Sequence, residues 1–295
     1  MALSFSADLL TPMLAVHPEA SELLGDGVLG FITNSVIVAL CVLGIVFFFS
    51  KKATTNMTLV PHKAQNLFEF LVEFLYGRVE SIVGHKQARL AFPLLGTLFI
   101  YILVSNWFGL IPGVGTIGFG PATGPLSVTS SDHAFHPILR PPTADLNATL
   151  ALAVSAFLVW FVLTIKEVGI WGFIVHTFGP KGGLKGIMGL VVGAVFLFVG
   201  VIEIVSIALR PMTLSVRLYG NIFAGESVLH TLGGLLDNAG QPWSMIGSIL
   251  IPFPFYFMEL LVGLLQAIVF TLLCSVYIQL STTHDDHGHE EGDHH

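Results

Sequence analysis

Five long apolar runs divide this chain, and they leave few folds open to it. They cover residues 27–50, 92–114, 147–165, 186–236 and 244–281. The hydrocarbon core of a bilayer is about 30 Å thick and is crossed by roughly 20 apolar residues in a helix. Backbone N–H and C=O groups in lipid must be satisfied inside their own segment, so such runs read as helices. Charge is correspondingly scarce: Asp, Glu, Lys and Arg make up 11% of the 295 residues, against roughly a quarter in soluble domains. Mean hydropathy is +0.82. A soluble globular domain, a disordered chain and a nucleic-acid binder do not fit these values. The expected fold is an all-α polytopic membrane protein. It has an external segment over 1–26, a membrane domain over 27–281 and an acidic, His-rich tail over 282–295.

The tail supplies five of the 19 acids, so the net charge of −7 says little about the membrane domain. Cys41 and Cys274 each sit inside an apolar run and read as packing residues, with neither a disulfide nor a metal site implied. No Lys or Arg precedes Lys51, so the N-terminus lacks the basic region of a signal peptide.

Loop charges orient the spans. Lys51, Lys52, Lys63, Arg78, Lys86 and Arg89 lie between the first and second runs, and Lys166, Lys181 and Lys185 between the third and fourth. The N-terminus, 115–146 and 237–243 share a single basic residue, Arg140. Basic loops stay inside, so the N-terminus is expected outside and, after five crossings, the C-terminus inside. In 61–84, Leu67, Phe70, Leu71, Phe74, Leu75, Val79 and Ile82 recur at helical spacing, with Glu69, Glu73, Arg78 and Glu80 between them. That pattern predicts an amphipathic helix along the inner membrane surface, a place compatible with packing on another subunit. The last two runs are too long for upright crossings: as helices they would measure about 77 Å and 57 Å. They must tilt strongly or break, and Gly220, Gly225, Gly233 and Gly234 permit breaks.

Ionisable side chains inside membrane spans are costly and mark ion or substrate paths. The fourth run holds Glu203, Arg210, Arg217 and Glu226, and the fifth holds Glu259 and Gln266. Glu203, Arg210 and Arg217 recur every seven residues, and Ser206 and Asn221 extend their face into one polar stripe. Spans four and five are antiparallel. With Gln266 level with Arg217, Glu226 and Glu259 reach a similar depth on the outer side, within roughly 3 Å along the axis. Two carboxyls that close share protons, which suits a relay. Glu226 falls about 180° round an ideal helix from Arg217, so the outer path must turn or pass between the helices. Simpler roles stand beside these: Arg210 snorkelling to the inner headgroups, or Glu203 and Arg210 as a structural ion pair. Arg217 is permanently charged, and its nearest acid in sequence, Glu226, is nine positions away. Its partner is expected on another subunit.

At these residues the chain resembles the a subunit of F-type ATP synthases. The stretch Pro211-Met-Thr-Leu-Ser-Val-Arg217-Leu-Tyr-Gly-Asn221-Ile-Phe-Ala-Gly-Glu226 is similar to that family's R-L-x-x-N-x-x-x-G element. Leu265-Gln266-Ala267, Phe270 and Tyr277 support the likeness, as do Asn106-Trp-Phe-Gly-Leu-Ile-Pro112, Pro61 and Gln65-Asn66. The resemblance covers most of 28–281. It implies two offset half-channels facing a ring of c subunits, each bearing a membrane carboxyl group. Arg217 would be the fixed cation facing that carboxylate. Glu226, Glu259, Asn221 and Gln266 would line the outer half-channel, and Glu203, Ser206 and Arg210 the inner one. The implied partners are the c ring, b-type peripheral stalk subunits, the rest of the complex and the lipid bilayer. The implied membrane is the bacterial cytoplasmic membrane, with an organellar energy-transducing membrane as the alternative. Some members carry His where this chain has Glu226 or Glu259, and some carry Asp in place of Gly109.

Two other functional classes require features that this sequence lacks. A secondary transporter using Arg217 to hold an anion would be expected to show internal repeats, and none is evident. An intramembrane hydrolase needs a nucleophile motif or H-E-x-x-H, and the sequence has neither. It also lacks a Walker or glycine-fingerprint motif. The chain is therefore expected to carry no nucleotide site or cofactor of its own.

Overall fold

The computed structural model describes residues 33–55, 57–58, 63–111, 114, 118–119, 136–137, 139–178, 187–233 and 250–282. The expected external segment 1–26, most of the 115–145 loop, 237–243 and 283–295 of the tail lie outside the described residues. Six α-helices are present among the described ones: α1 Asn34–Thr54, α2 Lys63–Val83, α3 His85–Gly109, α4 Leu146–Phe178, α5 Ile187–Gly233 and α6 Phe253–Thr282. A single 3-10 turn covers Pro142–Ala144. The only strand pairing among the described residues joins Gly118–Phe119 to His136–Pro137, antiparallel. Five helices are long and apolar enough to cross a membrane, all except α2. The chain is an all-α, multi-pass membrane protein.

The helix bounds differ from the apolar runs where polar residues are helical too. α3 starts at His85, seven residues before the second run, directly after Gly84 turns the chain out of α2 with φ +84°. Its first turns are polar, and Lys86 Nζ bonds Glu167 Oε1 of α4 at 3.4 Å. α4 continues past Lys166-Glu167 to Phe178, with a kink at Gly169, where φ 75° and ψ 159° are open only to glycine. α5 runs unbroken through Gly220 and Gly225, with Pro211 inside it. Its apolar span Val195–Leu229, 35 residues, is about 52 Å long. Fitting that length into ~30 Å of hydrocarbon requires a tilt of roughly 55°. Neither Gly220 nor Gly225 breaks the helix, and Gly225 serves a close approach described below.

The chain forms two compact units. The first comprises residues 1–68, 98–149 and 216–269. Its core holds Val38 and Val42 of α1, Phe99 and Ile102 of α3, Leu218 and Ile222 of α5 and Ala267 of α6. α1 leaves Leu40, Leu43, Phe47 and Phe48 exposed, an apolar face suited to hydrocarbon. The second comprises 69–97, 150–215 and 270–295. Small residues let its helices approach closely, with Ala88, Ala91, Ala153 and Ala156 all buried. Here α2 shows that its apolar residues form two stripes. Leu75, Val79 and Val83 turn inward and are buried, while Phe70 and Phe74 stay exposed. Tyr76 meets Phe92 edge to face at 5.1 Å, which fixes α2 beside the start of α3.

Candidate functional site

The polar residues of the first unit divide between two faces of α5. Leu218, Ile222 and Ser227 are buried, whereas Arg217, Asn221, Ala224 and Val228 are exposed. The exposed set recurs at i, i+4, i+7 and i+11 and makes one helical stripe. Arg217 therefore stands on an open face. Its guanidinium makes no hydrogen bond or ion pair among the described residues.

α6 presents Glu259, Gly263, Gln266 and Ala267 on its buried face. Two contacts set its register against α5. Asn221 Nδ2 donates to Gln266 Oε1 at 2.7 Å. One turn on, a Cβ built on Gly225 would lie 2.2 Å from the carboxyl carbon of Glu259. Stepping four residues up α5 thus matches stepping seven back along α6, as antiparallel helices do. Gln266 pairs with Asn221, one turn beyond the Arg217 level expected from sequence. The two amides meet directly, and Arg217 lies one turn before them on the same open stripe. Glu259 still arrives beside Gly225-Glu226, so the two carboxylates come to one level.

This cluster is enclosed. Glu259 and Gln266 are 6% and 4% exposed. Glu226 Oε2, Glu259 Oε1, Gln266 Nε2 and Asn106 Oδ1 are buried without a hydrogen-bond partner among the described residues. Asn106 of α3 is held at the same place, its Nδ2 donating to the Gly263 carbonyl at 3.0 Å. Trp107 Nε1 donates to the Leu260 carbonyl at 3.2 Å. Gly263 lacks a Cβ that would press within 3.1 Å of Asn106 Cβ.

Arg140 belongs to the site as well, although in the sequence it stands out only as a lone loop cation. It is 4% exposed, and its guanidinium attracts the Glu226 carboxylate. The following segment is rigid. Pro141 and Pro142 lead into the 3-10 turn, and Asp145 caps α4 by accepting from the Asn147 N–H at 3.0 Å. Gly109 explains itself here, because a Cβ on it would lie 3.0 Å from Pro141. A larger residue at that position would press on the segment that carries Arg140. The available signal was a lone cation, followed by two prolines, in an otherwise cation-free set of loops.

Glu203, Ser206 and Arg210 lie in the second unit. Glu203 is half-buried and Ser206 exposed. Glu203 and Arg210 form no ion pair among the described residues. Arg210 is instead held between aromatic faces, its guanidinium carbon 5.6 Å from the Trp160 ring centroid and 5.0 Å from that of Tyr277. Trp160 Nε1 donates to the Tyr277 backbone carbonyl at 2.8 Å, which fixes the indole beside α6. Among the described residues no group of His, Cys, Asp and Glu could hold a metal ion.

Known proteins resemble the chain along most of its length. A family model described as ATP synthase A chain matches residues 32–279. The ATP synthase subunit a of Protochlamydia amoebophila (strain UWE25) is 31% identical over 264 residues, covering 88% of this chain and 82% of that protein. The ATP synthase subunit a of Moorella thermoacetica is 31% identical over 247 residues, covering 84% and 88%. That of Desulforamulus reducens is 32% identical over 264 residues, covering 89% and 82%.

Proposed function

Because the chain belongs to the ATP synthase A chain family, we propose that it is the ion-conducting a subunit of the membrane sector of a rotary F-type ATP synthase. In this reading it loads and unloads protons, or sodium ions, on a ring of c subunits through two half-channels. Nucleotide chemistry belongs to other subunits. A b-type peripheral stalk holds the chain still while the ring turns. The nine-to-one asymmetry of basic residues supports an N-terminus outside and a C-terminus in the cytoplasm of a bacterial cell.

One observation carries the proposal: the cation and the carboxylates of the first unit face different ways. Arg217 stands on the open stripe of α5, where an approaching ring carboxylate can reach it. Glu226, Glu259, Asn106 and Gln266 offer enclosed polar atoms without a partner among the described residues. Left so, each costs about 1–3 kcal/mol, and solvent or a passing ion offsets that cost. An ion entering from outside meets Glu226, in the field of Arg140, and then Glu259. It passes the Asn221–Gln266 bridge to the ring carboxylate and neutralises it, and the neutral carboxyl can enter lipid. Returning to Arg217, the carboxyl ionises again because an opposite charge favours its charged form. The ion leaves on the inner side, where Glu203 and Ser206 provide polar lining and Arg210 stands at the edge. Arg217 also blocks direct passage between the half-channels.

The test is ATP synthesis by reconstituted vesicles under an imposed ion gradient. Arg217→Ala should abolish coupled synthesis while the complex assembles. Substantial synthesis by this variant, with normal subunit content, would remove Arg217 from the mechanism.

A further inference from the structure

α4 does not run out into water where its charges suggest. Lys166 and Glu167 mark the polar level on its basic side, and Glu167 Oε1 bonds Lys86 Nζ of α3 there at 3.4 Å. Gly169 then breaks the helix, with φ 75° and ψ 159°. A break frees backbone groups that water or headgroups must satisfy, so it belongs at the membrane surface. The next nine residues, Ile-Trp-Gly-Phe-Ile-Val-His-Thr-Phe over 170–178, contain no Asp, Glu, Lys or Arg.

After the break the chain turns back. In an unbroken helix Phe161 and Phe173 would lie about 18 Å apart along the axis. Their rings instead meet edge to face, with centroids 6.1 Å apart. Gly172 permits the tight turn, since a Cβ on it would lie 2.9 Å from Cγ1 of Val168. Phe161 precedes Lys166 by five residues, which places it about 7.5 Å deeper along α4. The returning segment therefore lies beside the apolar part of its own span and not in the aqueous phase beyond it.

The two sides of this segment differ. Gly172 and Phe173 approach α4. Ile170, Trp171, Ile174 and Val175 are all exposed, and at about 100° per residue they fall within roughly 140° of arc on the opposite side. Trp171 is 78% exposed, more than any other large apolar side chain among the described residues. An apolar patch of this kind at the edge of a membrane span calls for an apolar neighbour. Indole rings favour the headgroup boundary, where the ring is apolar and the N–H is hydrated. Helices with one apolar side lie in that boundary.

We propose that 170–178 is an interfacial hook that binds phospholipid of the leaflet on the basic side. Ile170, Trp171, Ile174 and Val175 rest against the glycerol and upper acyl region. With no fixed charge in the segment, the contact depends on the apolar boundary and selects no particular headgroup. The hook sets the depth of α4. Sliding the helix one way would drag the Trp171 N–H into hydrocarbon, and sliding it the other way would lift Ile174 and Val175 into water.

The experiment places the photoreactive residue benzoylphenylalanine singly at Trp171, Ile174 or Phe173 in the complete complex in its membrane. After illumination, attached molecules are identified by mass spectrometry. At 171 and 174, attached phospholipid should exceed attachment to protein about tenfold, with zwitterionic and anionic lipids taken in proportion to their abundance. At 173, the probe should attach to the 157–161 stretch of the same chain. Attachment at 171 and 174 chiefly to another subunit would overturn the lipid assignment, as would the lack of lipid attachment at both. Attachment at 173 to lipid alone would overturn the turn back along α4. If the variant at Trp171 did not assemble, the probe at Ile174 would decide. Attachment is read without ion flow, so this proposal and the half-channel mechanism can fail separately.

Discussion

The Glu259 carboxylate occupies the space that any side chain at Gly225 would need. The distance from a built Cβ to either carboxylate oxygen is 2.2–2.3 Å, far inside van der Waals contact. Glu259 is nearly enclosed, so it has little room to retreat. Gly225→Ala should cost about 1–3 kcal/mol by overpacking and displace the carboxylate from its path. ATP synthesis should fall by about tenfold. Shortening the partner by adding Glu259→Asp should restore part of the rate. A Gly225→Ala enzyme as fast as the unaltered one would show that the contact is slack.

Glu259→Gln keeps the shape of the side chain and removes its proton exchange. Synthesis driven by an ion gradient should slow, with a changed dependence on external pH, in a complex of normal composition. Glu259→His should be milder, since imidazole exchanges protons near neutral pH. Identical pH–rate curves for Glu259→Gln and the unaltered enzyme would end the relay role.

Arg140 should matter through its charge. Arg140→Gln withdraws the cation from Glu226, and synthesis should fall several-fold, most at low driving force. Arg140→Lys should retain more activity, because the attraction on Glu226 is Coulombic. The idea fails if Arg140→Gln is silent in vesicles in which Glu226→Gln is not.

Arg217→Lys separates charge from geometry. An ammonium lacks the planar fork and can lose its proton when desolvated. Most coupled synthesis should be lost, measured beside Arg217→Ala in the same vesicles. Full activity with Lys would reduce the requirement to a point charge.

Topology is tested by impermeant thiol reagents on a background without Cys41 and Cys274. Ser131→Cys should react from outside and Gly182→Cys only from inside. Reaction of both from one side would invert or refute the assignment drawn from loop charges.

The spans were legible because hydrophobic length is a one-dimensional property, and the 3.6-residue period exposed the polar stripe of α5. What stayed hidden depends on where separate helices meet. The Arg210 clamp joins residues 50 and 67 positions distant, Trp160 and Tyr277, and no period links them. Local spacing suggested Glu203 as the partner instead. Arg140 looked like a loop charge because nothing in sequence shows that the 140–145 segment is buried. The glycines of α5 were read as weak points, yet Gly225 is where another side chain comes close. α2 was read as having one apolar face, since a period cannot say that neighbouring stripes meet different surroundings.

The bridge from Asn221 to Gln266 has a property the carboxylates beside it lack. Neither amide gains or loses a proton over any pH a cell experiences. In the proposed relay Glu226 and Glu259 change charge with each passing ion, so electrostatic forces between α5 and α6 would rise and fall. A tether of carboxylates or imidazoles would loosen and tighten in step with them. A neutral amide tether would hold the helix spacing constant through that proposed cycle, so the passage would keep its width whatever the membrane potential or acidity on either side.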